Sequence, residues 1–270
     1  LGYHKHHHAN SELTLTAFKD HLSPYVKQLE KVLFCGTLGE PAAAQELLPM
    51  IRWIKDMNPS TVIGINTNGG LRTTDWWIEL ASLIKDDIRS YVVFSIDGLE
   101  DTNHIYRKKV NWSKLIKNVK AYIGAGGNAQ WDGLIFKHNQ HQINHMRDLA
   151  QQLGFKAFRT KVSSRENFDD ILPPDHGLPE IKQKPFSCMA QSTGSLYLSA
   201  QGLWYPCCYI HHHSVLGGSG WGSPLRSIDS RDRDWQQLAE SLSTDARPSI
   251  CTRSCGTSHN VGQWTHEETF

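Results

Sequence analysis

No apolar run in the 270 residues approaches the length needed to cross a bilayer. No basic-then-apolar N-terminal segment reads as a secretory signal. Charge of one sign is not in excess: the formal net charge is +1, which removes the electrostatic case for nucleic acid or an anionic membrane as a partner. Cysteine is almost missing from the first two-thirds of the chain, where Cys35 stands alone. No internal repeat is visible beyond a succession of strand-like and helix-like segments. With 39% hydrophobic and 20% charged residues, the chain is expected to be soluble and globular, and the missing signal fits a cytoplasmic location. Its length suits one large α/β domain with a small appendage. The first residue is Leu, which points to a start inside a longer gene product or after processing.

What is present is unevenly placed. Cys188, Cys207, Cys208, Cys251 and Cys255 all lie in the last third. Without a secretion signal, such a cluster reads as a metal site before a disulfide framework. There are 15 histidines, with runs at His6–His8 and His211–His213 that read as exposed loop.

Secondary structure follows from periodicity. Residues 16–29 predict one helix, or two short ones because Pro24 falls inside. Five β-rich runs are expected at about 31–36, 61–66, 90–96, 132–137 and 155–161, with helical periods between them. Pro49 is a candidate bend in the first of those helices. Strand and helix in strict alternation imply a parallel sheet covered by helices. Residues 163–185 are charged, proline-bearing and aperiodic, and read as a linker. A hairpin turning at Gln201-Gly202 follows, then a Gly/Ser-rich stretch at 217–223 and a helix at 234–243. The predicted domains are 1–175, α/β, and 176–270, a small cysteine-rich α+β domain.

In parallel α/β architectures, ligands sit at the carboxyl ends of the strands. The first strand runs into Cys35-Gly36-Thr37-Leu38-Gly39-Glu40-Pro41. The second ends in Asn66-Thr67-Asn68-Gly69-Gly70, the third in Ser95-Ile96-Asp97-Gly98, and the fourth in Lys137-His138-Asn139. These ends are small, polar and rich in hydrogen-bonding groups, as a ligand with an amine, a carboxylate and hydroxyls requires. The alternative for each end is that Asn, Asp and Gly simply make the turn.

The ordered set GxxGEP, TNG, SIDG and a strand ending in Asn, over residues 11–161, resembles the core of radical S-adenosylmethionine (SAM) enzymes. The resemblance implies a partial (β/α)6 barrel whose first strand is absent here. It implies that Gly36, Gly39 and Glu40 receive the ammonium of SAM. Asn66, Thr67 and Asn68 would lie near the ribose and adenine, and Ser95 and Asp97 near the carboxylate or ribose hydroxyls. Arg107 would pair with a carboxylate, its alternative being a surface helix arginine, and Asn139 would be a further ligand. The family's CxxxCxxC motif, which holds a catalytic 4Fe–4S cluster and should precede Ser11, is not in the sequence. The chain is therefore expected to be an N-terminal truncation, inactive as it stands in radical chemistry. Cys35 reads as a small buried residue rather than a substitute ligand, and Trp76, Trp77 and Trp131 as packing residues rather than a cleft lining.

Thirteen residues separate Cys188 from Gly202 and four separate Gly202 from Cys207, which resembles the opening of the SPASM or twitch domains appended to such enzymes. The resemblance implies an auxiliary 4Fe–4S cluster on Cys188, Cys207, Cys251 and Cys255, with Cys208 left open. A structural zinc site is the alternative, with His211, His212, His213 and His259 as further donors. The implied function is hydrogen abstraction from a peptide or small-molecule substrate, with an electron donor as partner. The alternative is a non-catalytic metal-binding protein on a degenerate barrel.

Overall fold

A computed structural model describes residues 11–36, 39–162, 171–175, 187–215, Cys251, Cys255 and 266–270. Thr37, Leu38, the histidine run at 6–8, most of the 163–185 segment, the Gly/Ser-rich stretch, the helix expected at 234–243 and His259 lie outside the described residues. Two compact units form: residues 19–162, 171–175 and 266–270 in one, residues 11–18, 187–215 and the two later cysteines in the other.

The chain enters through α1 (Leu15–Leu22) and a single 3-10 turn at Val26–Gln28, so the first helical segment is two short pieces with Pro24 between them. Then β1 (Lys31–Cys35), α2 (Leu47–Met57), β2 (Val62–Thr67), α3 (Thr74–Ile84) and β3 (Tyr91–Ser95) alternate. Pro49 is the third residue of α2, in the first turn, where no intrahelical N–H is lost. The alternation continues with α4 (Asn103–Tyr106), α5 (Trp112–Gly124), β4 (Ala129–Ile135), α6 (Ile143–Leu153) and β5 (Ala157–Val162). All five strands expected from the sequence are present, parallel and in chain order across the sheet.

That order decides where the helices go. Every crossover steps one strand in the same direction, and right-handed crossovers then place the connecting helices on one face. Accordingly α2 packs on α3, α3 on α5, and α5 on α6. The covered face is apolar: Ile63, Ile65, Val92, Phe94, Trp131 and Phe158 are all fully buried. An aromatic core ties sheet to helices, with Phe94 5.3 Å from Trp77 and 5.9 Å from Tyr122, and Trp131 5.4 Å from Phe155. Trp77 and Trp131 are core residues.

Strand alternation turns the intervening residues to the opposite face. Two register rows there carry polar residues. One runs Cys35, Asn66, Val93, Gln130 and Ala157; the next runs Ser95, Asp132, Arg159 and Glu267. The last of these belongs to a strand that the sequence reading missed.

In the second unit, α7 (Met189–Ser192) precedes a small antiparallel hairpin of β6 (Tyr197–Leu198) and β7 (Trp204–Tyr205), turning where Gln201-Gly202 predicted, and then α8 (Cys208–Val215). The chain then returns to the first unit as β8 (His266–Thr269), antiparallel to β5. Among the described residues the sheet is six-stranded and open, with β1 and β8 at its edges. No helix among the described residues is long and apolar enough to cross a membrane.

Candidate functional site

The carboxyl ends of β1 and β2 are joined through Glu40. Its carboxylate accepts from three donors: the Ala42 backbone N–H at 3.2 Å, the Thr67 hydroxyl at 2.5 Å and the Asn68 backbone N–H at 2.8 Å. The first bond caps a 3-10 turn at Pro41–Ala43, where the proline's missing N–H costs nothing. The other two bind the turn after β1 to the loop after β2. Glu40 Oε2 carries only the Asn68 bond among the described residues. Gly36 is required by close approach, because a Cβ there would overlap the Gly39 carbonyl. Gly69 has φ 67°, and a Cβ would come within 2.5 Å of the Leu115 side chain.

A second constellation forms after β3 and β4. The Asp97 side chain is fully buried. One of its oxygens accepts from Arg107 Nε at 2.6 Å, and the other from the Leu134 N–H at 2.7 Å. Asn139 is also buried; its amide donates to the Asp97 and Leu134 carbonyls at 2.8 and 2.9 Å and accepts from the Phe136 N–H at 2.8 Å. The polar atoms of these two side chains thus hold their own turns together. Arg107 caps the short α4 and lies over the Tyr106 ring, so it is part of a buried ion pair rather than a loose surface arginine.

Asn66 and Ser95 differ. Both are half-buried on the face opposite the packed helices, and neither side chain has a hydrogen-bond partner among the described residues. Asp132 lies beside Ser95 and takes a 2.7 Å bond from Arg159 Nε. Burial pushes the Asp132 carboxyl up, with the hydrogen bond and charge of Arg159 pulling it back. Sequence reading passed over Asp132 and Arg159 because polar residues within a strand carry no turn or motif signal. It also passed over Thr102 and Gln142, a buried pair 2.5 Å apart beneath the turn after β3.

His138 follows β4, stacked on Phe136 with ring centroids 5.2 Å apart, and its Nε2 is buried without a partner among the described residues. Burial lowers its pKa below the ordinary 6.5; Asp97 opposes this, and His104 and His141 reinforce it. The unfolded chain therefore takes up this proton first. The stabilising effect of keeping His138 neutral is present above about pH 6.5 and is lost as pH falls toward the folded value. Urea unfolding from pH 7.5 to 5.5 is expected to show a shallower decline in stability for His138→Gln than for the wild type. Parallel pH profiles would show that the His138 environment is wrongly described.

In the second unit, Cys188, Cys207 and Cys251 pack with Tyr197 around the buried pair Tyr205 and Ile210. Burial pushes the Cys207 thiol up, while the backbone N–H groups of Ile210 and Tyr209 at the start of α8 favour its thiolate. Cys208, Cys255 and Cys207 all act electrostatically on Tyr209, whose hydroxyl is pushed up chiefly by burial. All six cysteines are half-buried and none is disulfide-bonded. His211 is buried between Tyr197 and Tyr205, with ring centroids 4.9 and 4.7 Å away, which corrects the expectation of exposed loop for that residue. The side chains of His212 and His213 lie outside the described set. Among the described residues, no three His, Cys, Asp or Glu side chains are arranged to hold a single metal ion.

No protein-family model matches the chain, and no curated protein matches it. Solved structures show a partial likeness. SuiB of Streptococcus suis is 16% identical with a TM-score of 0.46, over 58% of this chain and 35% of that one. The same protein bound to S-adenosylmethionine gives 15% and 0.45, over 59% and 36%. Native anSMEcpe with bound AdoMet gives 15% and 0.44, over 57% and 45%. The chain thus spans less than half the length of each.

Proposed function

We propose that the chain is a radical SAM enzyme fragment: its first unit binds SAM at the strand ends, and its second holds an auxiliary 4Fe–4S cluster. The observation that carries this reading is the Glu40 carboxylate, held between the carboxyl ends of β1 and β2 with an oxygen still able to accept. The ammonium of SAM would take that oxygen; Gly39, with open space beside it, would let the ligand come close, and Gly36 lets the turn fold tightly against the Gly39 carbonyl. Asn66 and Ser95 supply the adjoining amide and hydroxyl groups, with the NH2 of Asn68, whose Oδ1 accepts from the Gly70 N–H at 2.9 Å. Thr67, Asp97, Arg107 and Asn139 act behind them, fixing the turns. The sheet, extended by a strand beyond the β1 edge, would form the partial barrel.

Cys188, Cys207, Cys251 and Cys255 would hold the auxiliary cluster. Three of the four share one apolar setting, and N–H groups directed at Cys207 sulfur suit a cluster thiolate. When bound, such a cluster supplies one-electron transfer or a site for substrate. The sequence contains no CxxxCxxC motif, so these residues account for SAM binding and an auxiliary cluster and not for reductive cleavage. The substrate class is a peptide or small molecule, with a separate electron donor.

Titration calorimetry with SAM on the anaerobically reconstituted chain tests the first half of the reading; saturable one-site binding is expected, and no heat of binding would sink it. For the second half, the double variant Cys188→Ala, Cys251→Ala is expected to lose its iron, acid-labile sulfide and brown absorbance. Full iron and sulfide content in that variant would refute the ligand set, and zinc without sulfide in the wild type would establish the alternative site.

A further inference from the structure

We propose that Arg72 is a positioning residue for the SAM site, which locks the Glu40 turn in place by gripping the backbone that follows it. The inference rests on the reading of Glu40 as the ammonium acceptor. Arg72 lies in the loop after β2, three residues beyond Gly69. It is the one non-glycine residue with positive φ among the described residues, at 64°, a conformation unfavourable for an L-residue that survives only where its surroundings impose it.

Those surroundings are specific. Asn118 of α5 is buried and donates its amide to the Gly69 and Leu71 carbonyls at 2.8 and 2.9 Å. Trp77 Nε1 donates to the Leu71 carbonyl at 3.1 Å. The loop is therefore pinned immediately before Arg72, and the left-handed residue aims its side chain back toward the first turn. There Nε donates to the Ala42 carbonyl at 2.6 Å, and Nη2 to the Ala44 and Ala43 carbonyls at 2.7 and 3.0 Å. Nη1 reaches Gln45 Oε1 at 3.4 Å, and the guanidinium lies over Trp76 at 5.7 Å.

The contacts are reciprocal. An acid from the first turn takes donors from the second loop, and a base from the second loop gives donors to the first turn. Both grips fall within a few residues of Pro41. A planar fork meets three successive carbonyls in a way that the single ammonium of lysine does not, and the end of a 3-10 turn is where backbone carbonyls lack partners. Release of the fork leaves Glu40 tied to Thr67 and Asn68 on a turn free to shift, so the carboxylate no longer presents its oxygen at one fixed point.

The test uses the full chain with Arg72→Ala, Arg72→Lys and Arg72→Gly. Two readouts are taken: NMR amide exchange of Ala42 and Asn68, which both donate to Glu40, and SAM affinity by calorimetry, with Tm as control. Arg72→Ala is expected to speed exchange at both amides by roughly tenfold and weaken SAM by a similar factor, and Arg72→Lys is expected to recover only a small part of either. Arg72→Gly relieves the backbone strain but not the lost fork. It is therefore expected to be more stable than Arg72→Ala and equally poor with SAM. Unchanged exchange and unchanged affinity in Arg72→Ala overturn the proposal, as does full rescue by lysine. If the wild type does not bind SAM while exchange still accelerates, the functional reading fails and the clamp itself stands.

Discussion

Glu40→Gln is expected to abolish measurable SAM binding, with an affinity loss of roughly a hundredfold or more, and to cost about 2 kcal/mol of stability. The carboxylate has two acceptor oxygens and three donors aimed at them. A glutamine has one acceptor oxygen and an NH2 group. If its oxygen faces Ala42 and Thr67, the NH2 faces the Asn68 N–H. If it is flipped, the NH2 faces two donors instead. Thr67 cannot adapt freely, because its hydroxyl also accepts from the Gly69 N–H at 3.0 Å. At least one backbone N–H therefore loses a charge-assisted bond in either orientation, and the negative charge that would meet an ammonium is gone. Thr67→Val is the comparison: it deletes one internal donor, keeps the acid and should bind SAM within a few fold of the wild type. SAM binding by Glu40→Gln within threefold of the wild type would make Glu40 a structural acid only.

Arg107→Ala is expected to be the more damaging change for stability, at about 3–5 kcal/mol by urea or guanidinium unfolding. Asp97 exposes none of its side chain, and Arg107 exposes 26%. Removing the guanidinium leaves a buried carboxylate with one backbone N–H as partner, deep beneath the turns after β3 and β4. Replacing both members, as Asp97→Asn with Arg107→Met, should recover part of the loss, since no net charge is then stranded. The pair Arg52–Glu79, at 3.0 Å but about half exposed on both sides, is the internal control; breaking it should cost well under 1 kcal/mol. A cost below 1 kcal/mol for Arg107→Ala would show that the buried pair is not formed in solution.

The parallel sheet was legible because its strands are continuous apolar runs separated by amphipathic helices, and that pattern has few other solutions. The strand from His266 to Thr269 was not. Four polar residues in a row carry no period-2 signal, and a short polar strand is what a sheet edge tolerates. The strand ends were legible as a set, but the use of each residue was not. A turn that folds on itself and a turn that binds a ligand need the same Asn, Asp and Gly. Only coordinates separate Asp97 and Asn139, engaged with their own backbone, from Asn66 and Ser95, which are open. Arg72 gave no signal at all: its importance depends on a left-handed backbone and on three carbonyls from another turn. In the cysteine-bearing unit, spacing located the thiols, and the hairpin between Cys188 and Cys207 formed at Gln201-Gly202 as the pattern required.

The pairing of β8 with β5 has a consequence for biosynthesis. The edge of β5 emerges from the ribosome about a hundred residues before its partner, which at roughly 5–20 residues per second is an interval of about 5–20 s. Throughout that interval the nascent sheet presents an unpaired strand to its neighbours on the polysome. Exposed Lys161 on that strand places a charge beside the open edge, a device that discourages pairing between chains until residues 266–269 arrive.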